Sequence, residues 1–244
     1  MRTLPPKQFC GFIALIVSIS LSSCSTNNPA QAPNLHARFV DQRLIATNAC
    51  GPTALLNSLR SGDAPCQSAA VAIPGASDTQ KLRHLILHHG AKKSRHLPSR
   101  IRWSKRGINP VDLRDVAEEI HPTAQLSFYL AKGSGSQLLK NAHHALAQSM
   151  RNGFPPIVCI RRYHGTKPAE SHFLSLIAIS AIDENDSSVE VTCIDPAGGK
   201  KIIGTIAVNH SNPQALRASL PDSPFIKATP PTAIIVMDAM ILRE

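Results

Sequence analysis

The chain has 244 residues, of which 43% are hydrophobic, 17% charged and only 4% aromatic, with a formal net charge of +10. So few aromatic rings argue against a base-stacking platform for nucleic acid, and no second hydrophobic span follows the N-terminal one. The basic excess instead favours anionic partners such as lipid headgroups, cell-wall polymer or acidic peptides.

Arg2 and Lys7 form a short basic region ahead of Gly11 to Leu21, an apolar run too short to span a bilayer comfortably. The run closes on Leu21-Ser22-Ser23-Cys24, which resembles the lipobox of bacterial lipoproteins. That resemblance implies a signal peptide over residues 1–23 and an acylated Cys24 as the first mature residue. Several acyl chains give durable membrane anchoring where one does not. By the sorting pattern of such lipoproteins, Ser25 after the cysteine implies the outer membrane, facing the periplasm. Residues 24–37, polar and proline-containing, read as the lipid-anchored flexible tether, and 38–244 as one domain with its own core. Without Arg2 and Lys7, the 24 remaining basic residues still outnumber the 16 acidic ones.

Cys50-Gly51-Pro52-Thr53 then places a thiol just ahead of Leu55, Leu56 and Leu59, a helical run over about 51–60 that ends at Gly62. Unpaired N–H groups and the positive end of the helix dipole favour the thiolate there, and Pro52 costs no helical hydrogen bond in the first turn. Ser77-Asp78-Thr79-Gln80 has the form of a capping box opening a helix through His89, stopped by Gly90. From Lys92 to Arg106 seven basic residues run without an acidic one, and the only tryptophan lies among them. This stretch is either a solvated loop or a basic wall beside a cleft, with Trp103 and Arg102 touching substrate. Asn109-Pro110 begins a helix to about Ile120, and Leu126 to Ala131 offers a short strand. A further helix spans Gly135 to Arg151, with Leu138, Leu139, Ala142, Leu146 and Met150 on one face and His143-His144 on a partly solvated one. Five β-rich runs follow: Pro156–Arg162, His172–Ser180, Ser188–Asp195, Lys201–Asn209 and Thr232–Asp238. Helices first and strands afterwards predict an α+β fold, an antiparallel sheet packed on helices.

In an oxidising compartment a complete pairing of Cys50, Cys66, Cys159 and Cys193 would consume the candidate nucleophile. Cys159 and Cys193 lie in apolar strand-like runs and are expected reduced and buried, whereas the state of Cys66, in a polar segment, stays open. A cysteine nucleophile needs a base, and a third group to orient it. Of the 11 histidines, His172 opens the run His172–Ile179, and the next strand ends at Asp195, before Pro196-Ala197-Gly198-Gly199. As a hairpin the two strands bring His172 and Asp195 within a few residues of being cross-strand neighbours. His164 is the rival base, set in a loop by Gly165 and Pro168. His84 and His88 share a helical face, but with no carboxylate at ligand spacing no metal is expected, and no cofactor.

In this order, Cys-Gly-Pro-Thr-Ala-Leu, Ser-His-Phe and Asp-Pro-Ala-Gly resemble the papain-like cysteine peptidases. The closest group is the bacteriocin-processing (double-glycine) peptidase-like family, over about Gln42 to Asp195. The resemblance implies a papain-like fold, Cys50 as nucleophile, His172 as general base and acid, Asp195 as orienter, and an acyl-thioester intermediate. That family usually carries, about six residues before the cysteine, a glutamine whose amide completes the oxyanion hole. Leu44 stands there in this chain, leaving Gln42 and Asn48 as oxyanion candidates. The expected activity is that of a cysteine peptidase or amidase acting on a peptide or peptide-bearing polymer. The alternative is a non-catalytic module gripping anionic peptides or cell-wall polymer; no nucleic-acid partner is expected.

Overall fold

The computed structural model describes residues 28–130, 132–228 and 233–244. The expected signal peptide and the expected lipidation site, Cys24, lie outside the described residues. Among those described, no helix is long and apolar enough to cross a membrane.

The helices are α1 (Cys50–Ser61), α2 (Ala64–Ala72), α3 (Asp78–His84), α4 (Pro110–Ile120), α5 (Gly135–Arg151) and a single turn, α6 (Pro224–Lys227). Helix α3 runs on into a π-helical turn, Leu85–Gly90. The capping box forms as predicted, Ser77 Oγ accepting from the Gln80 N–H while the Gln80 side chain accepts from the Ser77 N–H. Asn109 caps α4 in the same way, through the Asp112 N–H. Helix α2 carries little periodicity and was not expected; Asp63 caps it by accepting from the Cys66 N–H.

The strands are β1 (Ala30–Gln31), β2 (Trp103–Ser104), β3 (Gly107–Ile108), β4 (Leu126–Tyr129), β5 (Ile157–His164), β6 (Lys167–Ile179), β7 (Ser188–Asp195), β8 (Lys200–Val208), β9 (Leu216–Ser219) and β10 (Ile234–Arg243). Strands β5 to β10 pair antiparallel in a ring, β5–β6–β7–β8–β9–β10 and back to β5. This corrects the expected papain-like arrangement of helices on an open sheet: the second half of the chain is a closed six-stranded barrel with helices around it. The piece that closes it is β9, only four residues, Leu216-Arg217-Ala218-Ser219, too short to read as a strand in the sequence. It pairs with β8 on one side and β10 on the other, removing both sheet edges at once.

Alternation along the strands sorts side chains onto two faces, both apolar. Val158 and Ile160 of β5, Leu174 and Leu176 of β6 and Val191 and Cys193 of β7 share one cluster with α5 residues Leu138, Leu146 and Met150. The intervening Ile157, Cys159, Phe173 and Ile241 belong to a second cluster with α1, α3 and α4. Strand β1 pairs Ala30 and Gln31 with Ile179 and Ala178, on the edge of β6 that β5 leaves after Ser175. The expected tether through residue 37 is therefore already docked from Ala30, because backbone groups on that edge need partners. His143, expected on a partly solvated face, is buried, with its Nε2 2.9 Å from the Ser180 carbonyl oxygen.

Leu146 is completely buried in the barrel cluster, whereas Leu87 is 70% exposed. Leu146→Ala is expected to cost about 2–5 kcal/mol of stability and Leu87→Ala less than about 0.5 kcal/mol, read from the midpoints of urea unfolding curves.

Candidate active site

Strand β6 stays paired with β5 from end to end of that hairpin but meets β7 only from Ser175, opposite Ile194, onward. Residues 172 and 173 thus lie at a notch where β6 parts from β7, and the N-terminus of α1 fills it. Two contacts dock α1 there. Ser175 Oγ donates to the Ala54 carbonyl at 2.7 Å, and Gly51 sits so close to Ile108 that an added Cβ would meet its Cγ2 at 2.5 Å. Gly51 is thus fixed by close approach, directly beside Cys50.

Continuing the Ser175–Ile194 register puts Asp195 opposite Leu174, two residues from His172 on the same face. His172 Nε2 and Asp195 Oδ1 meet at 2.7 Å, with His172 4% exposed and Asp195 fully buried. Asp195 Oδ1 also accepts from the Ala197 N–H at 2.7 Å, and Oδ2 accepts from Ser223 Oγ at 2.5 Å. With Nε2 engaged, Nδ1 is the nitrogen left for Cys50, whose side chain is hydrogen-bonded to the imidazole. The backbone N–H groups of Gly51 and Phe173 also favour the thiolate.

Burial by itself would raise the Cys50 thiol; the hydrogen bond to His172, its charge and the two N–H donors outweigh that and hold the pKa below the ordinary 9.0. Burial would likewise depress His172, but Asp195 and Cys50 together raise it to about 9. Desolvation opposes ionisation of Asp195 too, yet the bond from His172 and those from Ser223 and Ala197 keep it low. His172 is accordingly an imidazolium at neutral pH, and the shift of Cys50 runs in the direction that favours the thiolate beside it. The other three thiols are the reverse case. Cys66, Cys159 and Cys193 are free and buried, and burial first of all pushes them up, Cys66 to about 12. The open question of Cys66 is thus answered by its place on the buried face of α2, where its sulfur faces the Gly153 carbonyl.

Cys50 and His172 open onto a cleft of about 930 Å³ that also takes in Gln42, Arg100, Lys105, Arg106, Arg161 and Phe225. Gln42 is 6% exposed while Leu44, at the family's usual glutamine position, is 48% exposed. A single turn of 3₁₀ helix over Gln42–Leu44 sends Leu44 outward and lets Gln42 face the cleft from eight residues away. Its backbone N–H is held by the Pro196 carbonyl at 2.9 Å, and its amide nitrogen donates to the Thr47 carbonyl. Asn57 holds the segment in place: fully buried, it accepts from the Val40 N–H at 2.7 Å and donates to the Val40 carbonyl at 3.2 Å. Gly199, with φ +58, turns the chain beneath Val40 and Asp41, where a Cβ would meet the Asp41 nitrogen at 3.0 Å.

Asn48, the other oxyanion candidate, is committed elsewhere. Its amide nitrogen donates to the Ser104 and Lys105 carbonyls, each at 3.1 Å, bracing the basic loop. The substrate roles expected of Arg102 and Trp103 are also corrected. Arg102 is 2% exposed, bound to Glu119 at 2.8 Å and near Asp115 at 3.8 Å, and Trp103 packs on the helical core; neither lines the cleft. The basic residues on the cleft wall are their neighbours Arg100, Lys105 and Arg106. His164, the rival base, ends β5 exposed at the hairpin tip and does not line the cleft.

Two residues escaped the sequence reading. Ser223 anchors Asp195, and Phe225 stacks on the His172 ring with centroids 5.0 Å apart. Arg162 sits 4.8 Å over the other partner of that stack, the Phe225 ring, and donates to its carbonyl at 3.0 Å. Ser223 and Phe225 lie at the start of the single turn α6, too short to carry a periodicity that would mark them. Compared with known proteins, the chain matches no family model and no curated protein.

At pH 6 an ordinary thiol of pKa about 8.5 is less than about 1% thiolate. Iodoacetamide at that pH is expected to modify Cys50 in preference to the other thiols, and Asp195→Asn to slow that labelling toward the rate of an ordinary thiol. Mass mapping of the labelled peptides checks this.

Proposed function

We propose that the protein is a cysteine hydrolase, cleaving an amide bond in an anionic peptide or peptide-bearing polymer, and that it works tethered to the cell envelope through an acylated Cys24. The observation carrying this reading is the buried chain of hydrogen bonds from Cys50 through His172 to Asp195, opening onto a cleft. The cysteine peptidase resemblance in the motifs supports the same chemistry.

In the reaction the Cys50 thiolate attacks the substrate carbonyl carbon. The oxygen, now negative, lies where the open first turn of α1 meets Gln42; Ala49 offers no side-chain cap to that turn. One Gln42 hydrogen is held by Thr47, leaving the other for the oxyanion. Collapse of the tetrahedral species breaks the C–N bond as the imidazolium gives its proton to the leaving amine, and an acyl-thioester remains on Cys50. Neutral His172 then takes a proton from water, whose oxygen attacks the thioester. The acid departs, and thiolate and imidazolium are restored.

The preference for anionic substrate rests on charge that the fold leaves unspent. Arg60, Arg102, Arg114, Arg161 and Arg243 all have carboxylate partners. Among the described residues, Arg100, Lys105 and Arg106 on the cleft wall have none, and Glu170 is the only acidic residue lining the cleft. In such a groove three unpaired cations raise the local concentration of an acidic substrate.

Thiol-dependent hydrolysis of a fluorogenic peptide library rich in Asp and Glu tests the proposal. Cys50→Ala is expected to abolish it, Gln42→Ala to slow it about 100- to 1000-fold, and Cys193→Ala to leave it near wild type. The rate should fall again as pH rises through about 9, where His172 loses the proton owed to the leaving amine. Acidic peptides that bind equally well to wild type and Cys50→Ala, with no hydrolysis by either, would replace the enzyme with a binding module.

A further inference from the structure

On a regular α-helix His84 and His88 share a face, while His89, about 500° of rotation from His84, points roughly 140° away. The chain does not stay α-helical there. Leu85–Gly90 is a π-helical turn, and an i→i+5 ladder carries residue 89 back over residue 84. The three rings consequently converge, with centroids 4.8 Å apart for His84–His88, 5.0 Å for His88–His89 and 5.5 Å for His84–His89. One ring nitrogen from each lies within 4.8 Å of the others.

The cluster also has its outer support. His89 Nδ1 is 2.8 Å from Glu119 Oε2, and Glu119 is itself held by Lys92 at 2.7 Å and by the buried Arg102 at 2.8 Å. A carboxylate on one imidazole nitrogen fixes the ring and leaves the other nitrogen, here Nε2, free to coordinate a metal. Among the described residues, the ring–ring contacts of His84 and His88 are with the other histidines of the cluster, and neither ring has a hydrogen-bond partner.

We propose that His84, His88 and His89 form a binding site for a divalent transition-metal ion, with Glu119 as the carboxylate behind His89. Three imidazoles suit zinc, nickel or copper and not magnesium or calcium, which prefer oxygen. Three nitrogens about 2.0–2.1 Å from one tetrahedral ion lie about 3.4 Å apart, so closure asks for an inward movement of up to about 1.4 Å, which the exposed His88 is free to make. A fourth position stays open for water. The site ends at Gly90, where a Cβ would meet the Trp103 Cβ at 2.8 Å, and the Arg102 N–H donates to the Lys92 carbonyl at 2.9 Å. A bound ion therefore stiffens the base of the basic loop that borders the cleft.

Calorimetric titration of the mature protein, purified without a histidine tag, with zinc chloride alone tests the site. One saturable zinc per chain is expected, weakened at least tenfold in His88→Ala and unchanged in His164→Ala, whose histidine is exposed far along the chain. Absence of a saturable site, weakening of less than tenfold in His88→Ala, or equal weakening in His164→Ala would overturn the assignment. Because His88 is exposed and outside the cleft, its removal tests coordination and not folding.

Discussion

Burying an imidazole beside a carboxylate strips both of water, and the 2.7 Å hydrogen bond between His172 and Asp195 is what offsets that cost. Once it forms, the remaining choices narrow. Asp195 has further lone pairs to satisfy, and Ser223 and Ala197 take them. The imidazole has one nitrogen left, which faces the sulfur at the start of α1. The stacked Phe225 covers the ring and helps keep the pair out of bulk water, where the ionic form would lose its advantage.

The barrel makes that bond possible, and the helices turn it into a site. The β6–β7 hairpin within the barrel has the register that places His172 and Asp195 on one face. Because β7 begins pairing only at Ser175, the same strand leaves the Phe173 N–H free to reach Cys50. The outer face of β5 and β6 is apolar, so α1 docks on it and brings its N-terminus to the notch. A soluble antiparallel sheet often shows polar residues on one side. Here both sides are apolar because one packs on α5 and the other on α1, α3 and α4.

The parts of this arrangement that rest on local signals could be read from the chain. Helix α5 follows its apolar period from Gly135 to Arg151, the capping box opens α3, and β7 runs from Ser188 to Asp195 as alternation predicts. The ordered Cys50, His172 and Asp195 motifs were visible for the same reason. The closure of the sheet was not, since β9 is four residues with two of them polar. Nor could the sequence show which cations are spent. Arg102 and Arg100 look alike in a basic run, and only the fold of α4 brings Glu119 and Asp115 to the first and not the second. His89 was missed because periodicity assumes one helical geometry, and the turn at Leu85–Gly90 adopts another.

The account stands on a thiolate–imidazolium pair in the resting protein, and nuclear magnetic resonance of ring-labelled histidine observes it directly. His172 should stay doubly protonated through neutral pH and titrate near about 9, and in Cys50→Ala its titration should move down once the negative sulfur is gone. A His172 ring that titrates near the ordinary 6.5 in both proteins would mean that sulfur and imidazole are not coupled, and would contradict the account.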